Sequence, residues 1–165
     1  MTRADHPSGS DRIFEALGKA DPQGRARVIV NVQGDLPTLE PADLKASLLP
    51  LKDSAVDIAT LAAEIAKPEE RTNPNVVKVV RGRLGKALYF SRSPIPYVKE
   101  GPFPILRHIG VYGFDRATLL SIPPLPSSGL AEAESLEQLR FLENDIPMHV
   151  LDAQGDPWGI ETRPD

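Results

Sequence analysis

At 165 residues with a formal net charge of −4, the chain fits one domain with a sizeable core, and its acidic balance argues against a nucleic-acid or membrane-surface partner held by bulk charge. It has no cysteine, which excludes a disulfide framework, a thiolate metal site and a thiol nucleophile. No apolar run approaches the roughly 20 residues of a membrane span, and the polar start Met1 to His6 has no signal-peptide core, so a cytoplasmic location is expected.

In chain order, Ser10 or Asp11 is placed to cap a helix over roughly 11–20. Val28 to Val32 is a β-branched run that suits a strand buried on both faces, ending in the polar turn Gln33-Gly34-Asp35. Pro41 to Leu51 reads as a helix with Pro41 in its first turn, and Val56 to Glu64 alternates like a strand. Asn73-Pro74 makes a turn, after which Val76 to Val80 and Ala87 to Phe90 pair as a hairpin across Arg81 to Lys86. Arg107 to Phe114 is a further strand, and Asp115 to Leu120 a short helix stopped by Pro123-Pro124. Leu130 to Phe141 is the strongest helix, with Ala131, Leu136, Leu139 and Leu142 along one face. Met148 to Leu151 is the last strand. The sum is a single α/β domain over 1–165 with a mixed sheet and an antiparallel hairpin insertion. Ligands of such sheets bind beyond the carboxyl ends of strands, which is where Asp35 falls. No Gly-rich phosphate loop follows any strand.

From residue types alone, several sites stay open. Asp35 fits either a solvated turn or a hard-cation carboxylate. Ser8-Gly9-Ser10-Asp11 fits a helix cap or a close approach to phosphate. His108 and Tyr112 are four apart on a strand and share a face, while Glu137 and Gln138 point about 100° apart on a helix. His6 and His149 have no second ligand at metal spacing.

Six blocks in order carry a resemblance. They are Met1-Thr2-Arg3-Ala4-Asp5-His6-Pro7-Ser8-Gly9-Ser10-Asp11-Arg12, Val30-Asn31-Val32-Gln33-Gly34-Asp35, and Asn73-Pro74-Asn75-Val76-Val77-Lys78-Val79-Val80. The others are Ala87-Leu88-Tyr89-Phe90-Ser91-Arg92-Ser93-Pro94-Ile95-Pro96-Tyr97, Arg107-His108-Ile109-Gly110-Val111-Tyr112, and Glu134-Ser135-Leu136-Glu137-Gln138-Leu139-Arg140. Together they resemble the bacterial 3-deoxy-manno-octulosonate (Kdo) cytidylyltransferases.

The resemblance implies a mostly parallel, Rossmann-like nucleotidyltransferase sheet flanked by helices, and transfer of a cytidylyl group from CTP to Kdo for lipopolysaccharide synthesis. It implies Asp35 and Arg92 as catalytic residues and Mg²⁺ as cofactor. Arg3, Ser8, Gly9, Arg12 and Gln33 would face the nucleotide, and Arg92, His108, Tyr112, Glu137 and Gln138 the sugar. Family members are homodimers. The family's second metal carboxylate is an aspartate in a Gly-Val-Asp-Thr-Pro block; here Glu161, in Gly159-Ile160-Glu161-Thr162-Arg163-Pro164, takes that place with a longer side chain. Met1 aligns with an internal position of the family, so a front segment of about 60 residues, two βα units carrying the triphosphate loop, is expected to be missing. The 165-residue chain by itself is then expected to show no cytidylyl transfer. The alternative is an inactive fragment or interaction partner of the same family.

Overall fold

The structure, a computed structural model, describes every residue except 7, 54, 156 and 158–165. Helix α1 spans Gly9–Ala20 and is capped by Ser8, whose backbone is extended and whose hydroxyl accepts from Asp11 N–H at 3.2 Å. The cap therefore lies two or three residues before the expected Ser10 or Asp11. Strand β1 (Val28–Val32) follows, then α2 (Pro41–Leu48). The helix expected to reach Leu51 gives way to a 3-10 turn over Pro50–Lys52, since Pro50 has no N–H to continue the ladder. Strand β2 (Ile58–Glu64) is buried at each of its first five residues, so it lies inside the sheet with both faces covered rather than alternating.

β3 (Lys78–Arg81) and β4 (Ala87–Ser91) form the expected antiparallel hairpin. β5 (Leu106–Asp115) leads directly into α3 (Arg116–Ser121), capped by the Asp115 carboxylate accepting from Ala117 N–H at 2.9 Å. The helix expected over 130–141 is instead two, α4 (Gly129–Glu134) and α5 (Gln138–Glu143). Ser135 breaks it by taking left-handed backbone (φ 53°, ψ 49°), a strained choice for a non-glycine that helix periodicity cannot reveal. β6 (Met148–Asp152) closes the sheet.

The mixed α/β architecture holds, but its pairing is mostly antiparallel, not mostly parallel. The long β5 is the reason. Along one edge it runs antiparallel to β2, with Ile58 opposite Phe114 and Glu64 opposite Leu106. Its other edge is shared end to end by β3, with Lys78 opposite Arg107, and by β1, with Val32 opposite Val111. A central strand opposed to all its neighbours makes every such pair antiparallel; β2 with β6 is the one parallel pair among the described residues. β1, expected to be buried on both faces, is only partly covered, and Val32 is 49% exposed.

Between Thr60 opposite Tyr112 and Leu61 opposite Ile109, β5 carries Gly110 and Val111 without partners on β2, a bulge of the kind found beside sites. One sheet face packs Ile58, Phe90, Phe114, Leu139, Phe141 and Met148 beneath the helices. The other packs Leu61, Ile109 and Val111 against α2. α2 comes so close that a Cβ on Gly113 would stand 2.7 Å from Leu51 Cδ1 and 2.9 Å from Ser47 O, which only glycine avoids.

Candidate active site

Side chains alternate along a strand, so His108, Gly110 and Tyr112 share the first of these faces. The His108 and Tyr112 ring centroids are 5.4 Å apart, and Phe90 meets His108 edge-on at 4.9 Å. Gly110 leaves a gap between them that the Gln33 amide fills: a Cβ there would be 3.5 Å from both Gln33 Cδ and Oε1. Gln33, two residues before Asp35 and just past the end of β1, is thereby laid against the His108–Tyr112 pair. The Tyr112 phenol is pushed far above its ordinary range by burial and by the charge of Glu137, so it remains a hydrogen-bond donor.

Glu137 joins this face to the start of α1. Its Oε1 accepts from Ser10 N–H at 3.0 Å, and a Cβ on Gly9 would come within 3.3 Å of its Oε2. The segment expected to face nucleotide and the segment expected to face sugar are therefore in contact. Gln138 is 5% exposed and its amide makes no hydrogen bond among the described residues. The one fully buried side-chain nitrogen or oxygen without a partner among the described residues belongs to His149, so the tip of the Gln138 amide reaches solvent and is open to a ligand.

The His108 pKa is pushed down to about 3 by burial, which makes the imidazole neutral at any ordinary pH. A neutral ring offers one donor and one acceptor, which suits hydroxyl groups rather than an anion.

Around this core the remaining expected residues are placed less directly. Asp35 lies exposed in the turn after β1, its carboxylate making no hydrogen bond or ion pair among the described residues. The Ser8 hydroxyl is used locally, accepting from Asp11 N–H and donating to Asp11 Oδ2 at 2.6 Å. Arg12 Nη1 donates to Arg3 O at 2.9 Å and to Thr2 Oγ1 at 3.1 Å, while Arg3 pairs with Asp5 at 3.2 Å. Arg92 donates through Nε to Glu134 O, through Nη1 to Pro74 O and through Nη2 to Ser135 O, at 2.8, 2.9 and 3.2 Å. Its guanidinium is thus a tie on the α4–α5 junction that presents Glu137 and Gln138, with part of its five N–H groups left over. Glu161 lies outside the described residues.

Sequence reasoning gave no role to several supports of this site. Glu134 accepts from Ser91 Oγ at 2.6 Å and from Arg92 N–H at 2.9 Å; burial raises its pKa, but these bonds outweigh that and hold it below the ordinary value. Lys78, fully buried, donates to three carbonyls behind Arg92. Asp43, also fully buried, accepts from Gln154 N–H at 2.7 Å and ties the chain leaving β6 to the first turn of α2. Lys78 is the one charge among valines in 76–80 and Thr60 the one hydroxyl in β2, and that isolation is the signal that could have found them.

No group of three or more histidine or acidic residues among the described residues could enclose a metal. Mg²⁺ does not need such a cage, since it commonly takes one or two carboxylates together with substrate phosphates, and the free Asp35 carboxylate fits that use.

Residues 1–148 match the profile of the family described as cytidylyltransferase. A 3-deoxy-manno-octulosonate cytidylyltransferase of Nitrobacter winogradskyi is 50% identical over 169 residues, covering 100% of this chain and 65% of the relative. Its namesake in Agrobacterium fabrum is 52% identical over 166 residues, with 98% and 65% covered. That of Rhodopseudomonas palustris is 52% identical over 169 residues, with 100% and 68% covered. A solved CMP:2-keto-3-deoxy-manno-octonic acid synthetase complexed with CTP superimposes with a TM-score of 0.89 at 38% identity, over 98% of this chain and 66% of its own. The chain thus spans about two thirds of the length of these relatives, 65% of the first two.

Proposed function

The chain belongs to the cytidylyltransferase family, and on that premise we propose that it serves the transfer of a cytidylyl group from CTP to 3-deoxy-manno-octulosonate in lipopolysaccharide synthesis, in the cytoplasm. The anomeric hydroxyl of the sugar attacks the α-phosphorus of CTP, the new O–P bond forms, and pyrophosphate leaves. The observation that carries this reading is the convergence of Gln33, His108, Tyr112 and Glu137 on one face at the carboxyl end of β1, beside Asp35. Neutral His108 and protonated Tyr112 suit the hydroxyls of a polyhydroxylated acceptor, and Gln138 adds an amide with no hydrogen-bond partner among the described residues. Gln33 bridges that sugar face to the nucleotide side, where Ser8, Gly9, Arg12 and Arg3 open and flank α1. Arg92 orients the α4–α5 junction, and its remaining N–H groups are suited to the sugar carboxylate.

Asp35, with Glu161 as second carboxylate, would hold Mg²⁺, which when bound neutralises charge on the phosphate oxygens. In a protein of the relatives' full length, Asp35→Asn is expected to lower pyrophosphate release from CTP plus the sugar by about 100-fold or more. Unchanged turnover would remove Asp35 from this role. The alternative of an inactive fragment or interaction partner has no observation of its own in its favour. As partner we propose a second copy: Leu84 and Leu88 on the β3–β4 hairpin are 86% and 63% exposed, an apolar surface open to burial. Sedimentation equilibrium is expected to return the mass of two chains, and a monomer at every concentration would remove the dimer.

A further inference from the structure

Thr60 is the only hydroxyl in the apolar run of β2 and is fully buried at the bulge of β5. Its Oγ1 lies 2.8 Å from Val111 O, 3.2 Å from Ile109 O and 2.9 Å from His108 Nε2. A threonine hydroxyl has one proton, and a carbonyl oxygen can only accept. Two oxygens 2.8 Å apart with no proton between them would repel, so the proton is given to Val111 O and shared with Ile109 O. Only lone pairs are then left for the imidazole. His108 Nε2 must carry the ring hydrogen and donate it to Thr60.

The other ring nitrogen follows. His108 Nδ1 has no partner among the described residues, yet the one buried side-chain nitrogen or oxygen without a partner there belongs to His149. His108 Nδ1 is therefore reached from solvent, on the face it shares with Tyr112 and the Gln33 amide. We propose that Thr60 is a positioning residue that holds His108 in the Nε2–H tautomer, so that a bare Nδ1 faces the pocket as acceptor for a hydroxyl of the sugar. This rests on the reading of His108 as a sugar-facing residue. It adds a requirement of polarity: the ligand must bring a donor, so a hydroxyl is matched and a carbonyl or ether oxygen at that point is refused. The same hydroxyl staples the two carbonyls of the bulge, so strand irregularity and tautomer are set by one side chain.

Nitrogen-15 spectra of the histidines of the chain itself test this without any turnover. Wild type is expected to show His108 with Nε2 protonated and Nδ1 unprotonated near neutral pH; an Nδ1–H form, or a mixture, overturns the proposal. Thr60→Val keeps the shape and removes the acceptor, and is expected to bring the Nδ1–H form to a comparable population. Thr60→Ser keeps the wild-type pattern. A Thr60→Val chain that folds and stays wholly Nε2–H also overturns it, and wild type and Thr60→Ser still decide if that variant does not fold. Titrating 3-deoxy-manno-octulosonate is then expected to shift the Nδ1 resonance in wild type and Thr60→Ser. The stated tautomer with no response to the sugar would instead overturn the sugar reading of His108, and with it the use assigned to Thr60.

Discussion

Lys78→Met is expected to lower the unfolding free energy by about 3 kcal/mol, measured by urea denaturation. Methionine keeps the stem volume of the lysine, so little cavity cost enters. What is lost is the ammonium, whose Nζ donates to Val76 O and Arg92 O at 2.6 Å each and to Asn73 O at 2.9 Å. Burial lowers the Lys78 pKa, offset by the nearby Glu134 charge and reinforced by Arg92, so the three carbonyls are what make the charged form tolerable there. Without it, Val76 O and Arg92 O lose the Lys78 donor beside a buried stem, while Asn73 O keeps the N–H of Val76 at 3.1 Å. The same carbonyls hold the turn before β3 and the backbone of Arg92, whose guanidinium ties the α4–α5 junction. A loss below about 1 kcal/mol would mean that water replaces the ammonium, and Lys78 would then be a dispensable plug.

Acidification from pH 6.5 is expected to remove stability at up to about 1.4 kcal/mol per pH unit through His108 alone. The folded ring titrates near 3 and the unfolded ring near 6.5. Between those values the unfolded chain binds a proton that the folded chain refuses, so stability is complete above 6.5 and falls as pH falls. Glu15 acts in the same direction but lower. Lys19 first, then Arg3 N–H and His6, hold its carboxyl down to about 2, so its contribution is lost only below the ordinary 4.5. Asp21 and Glu134, both depressed, likewise act below the ordinary carboxylate range. The window from 4.5 to 6.5 therefore reports the histidine. His108→Gln is expected to flatten the stability profile there, and an unchanged slope would place the effect elsewhere.

Much of this site was legible because strand and turn patterns are local. Period two puts His108 and Tyr112 on one face, β-branched Val28 to Val32 ends at Gln33-Gly34-Asp35, and glycines mark the β3–β4 hairpin. Helix periodicity failed over 130–141, since Ser135 pays for its left-handed backbone through contacts from elsewhere: Arg92 binds its carbonyl and that of Glu134. Ser10 and Asp11 looked like caps because nothing in the sequence says that Ser10 N–H is given to Glu137, 127 residues away.

The chain order of apolar runs, turns and isolated polar residues determined by itself that this is an α/β protein, where its strands lie and which six segments carry its family's pattern, because these depend on neighbours a few residues apart. Only the tertiary structure decided that β5 runs against three neighbours, that Gln33 rests on Gly110, that Lys78 and Arg92 brace the helix junction, and which nitrogen of His108 lies against Thr60. Strand direction and proton position are set by partners distant in sequence: a hydroxyl with one proton and two carbonyls to satisfy is a constraint that exists only after β2 and β5 have met.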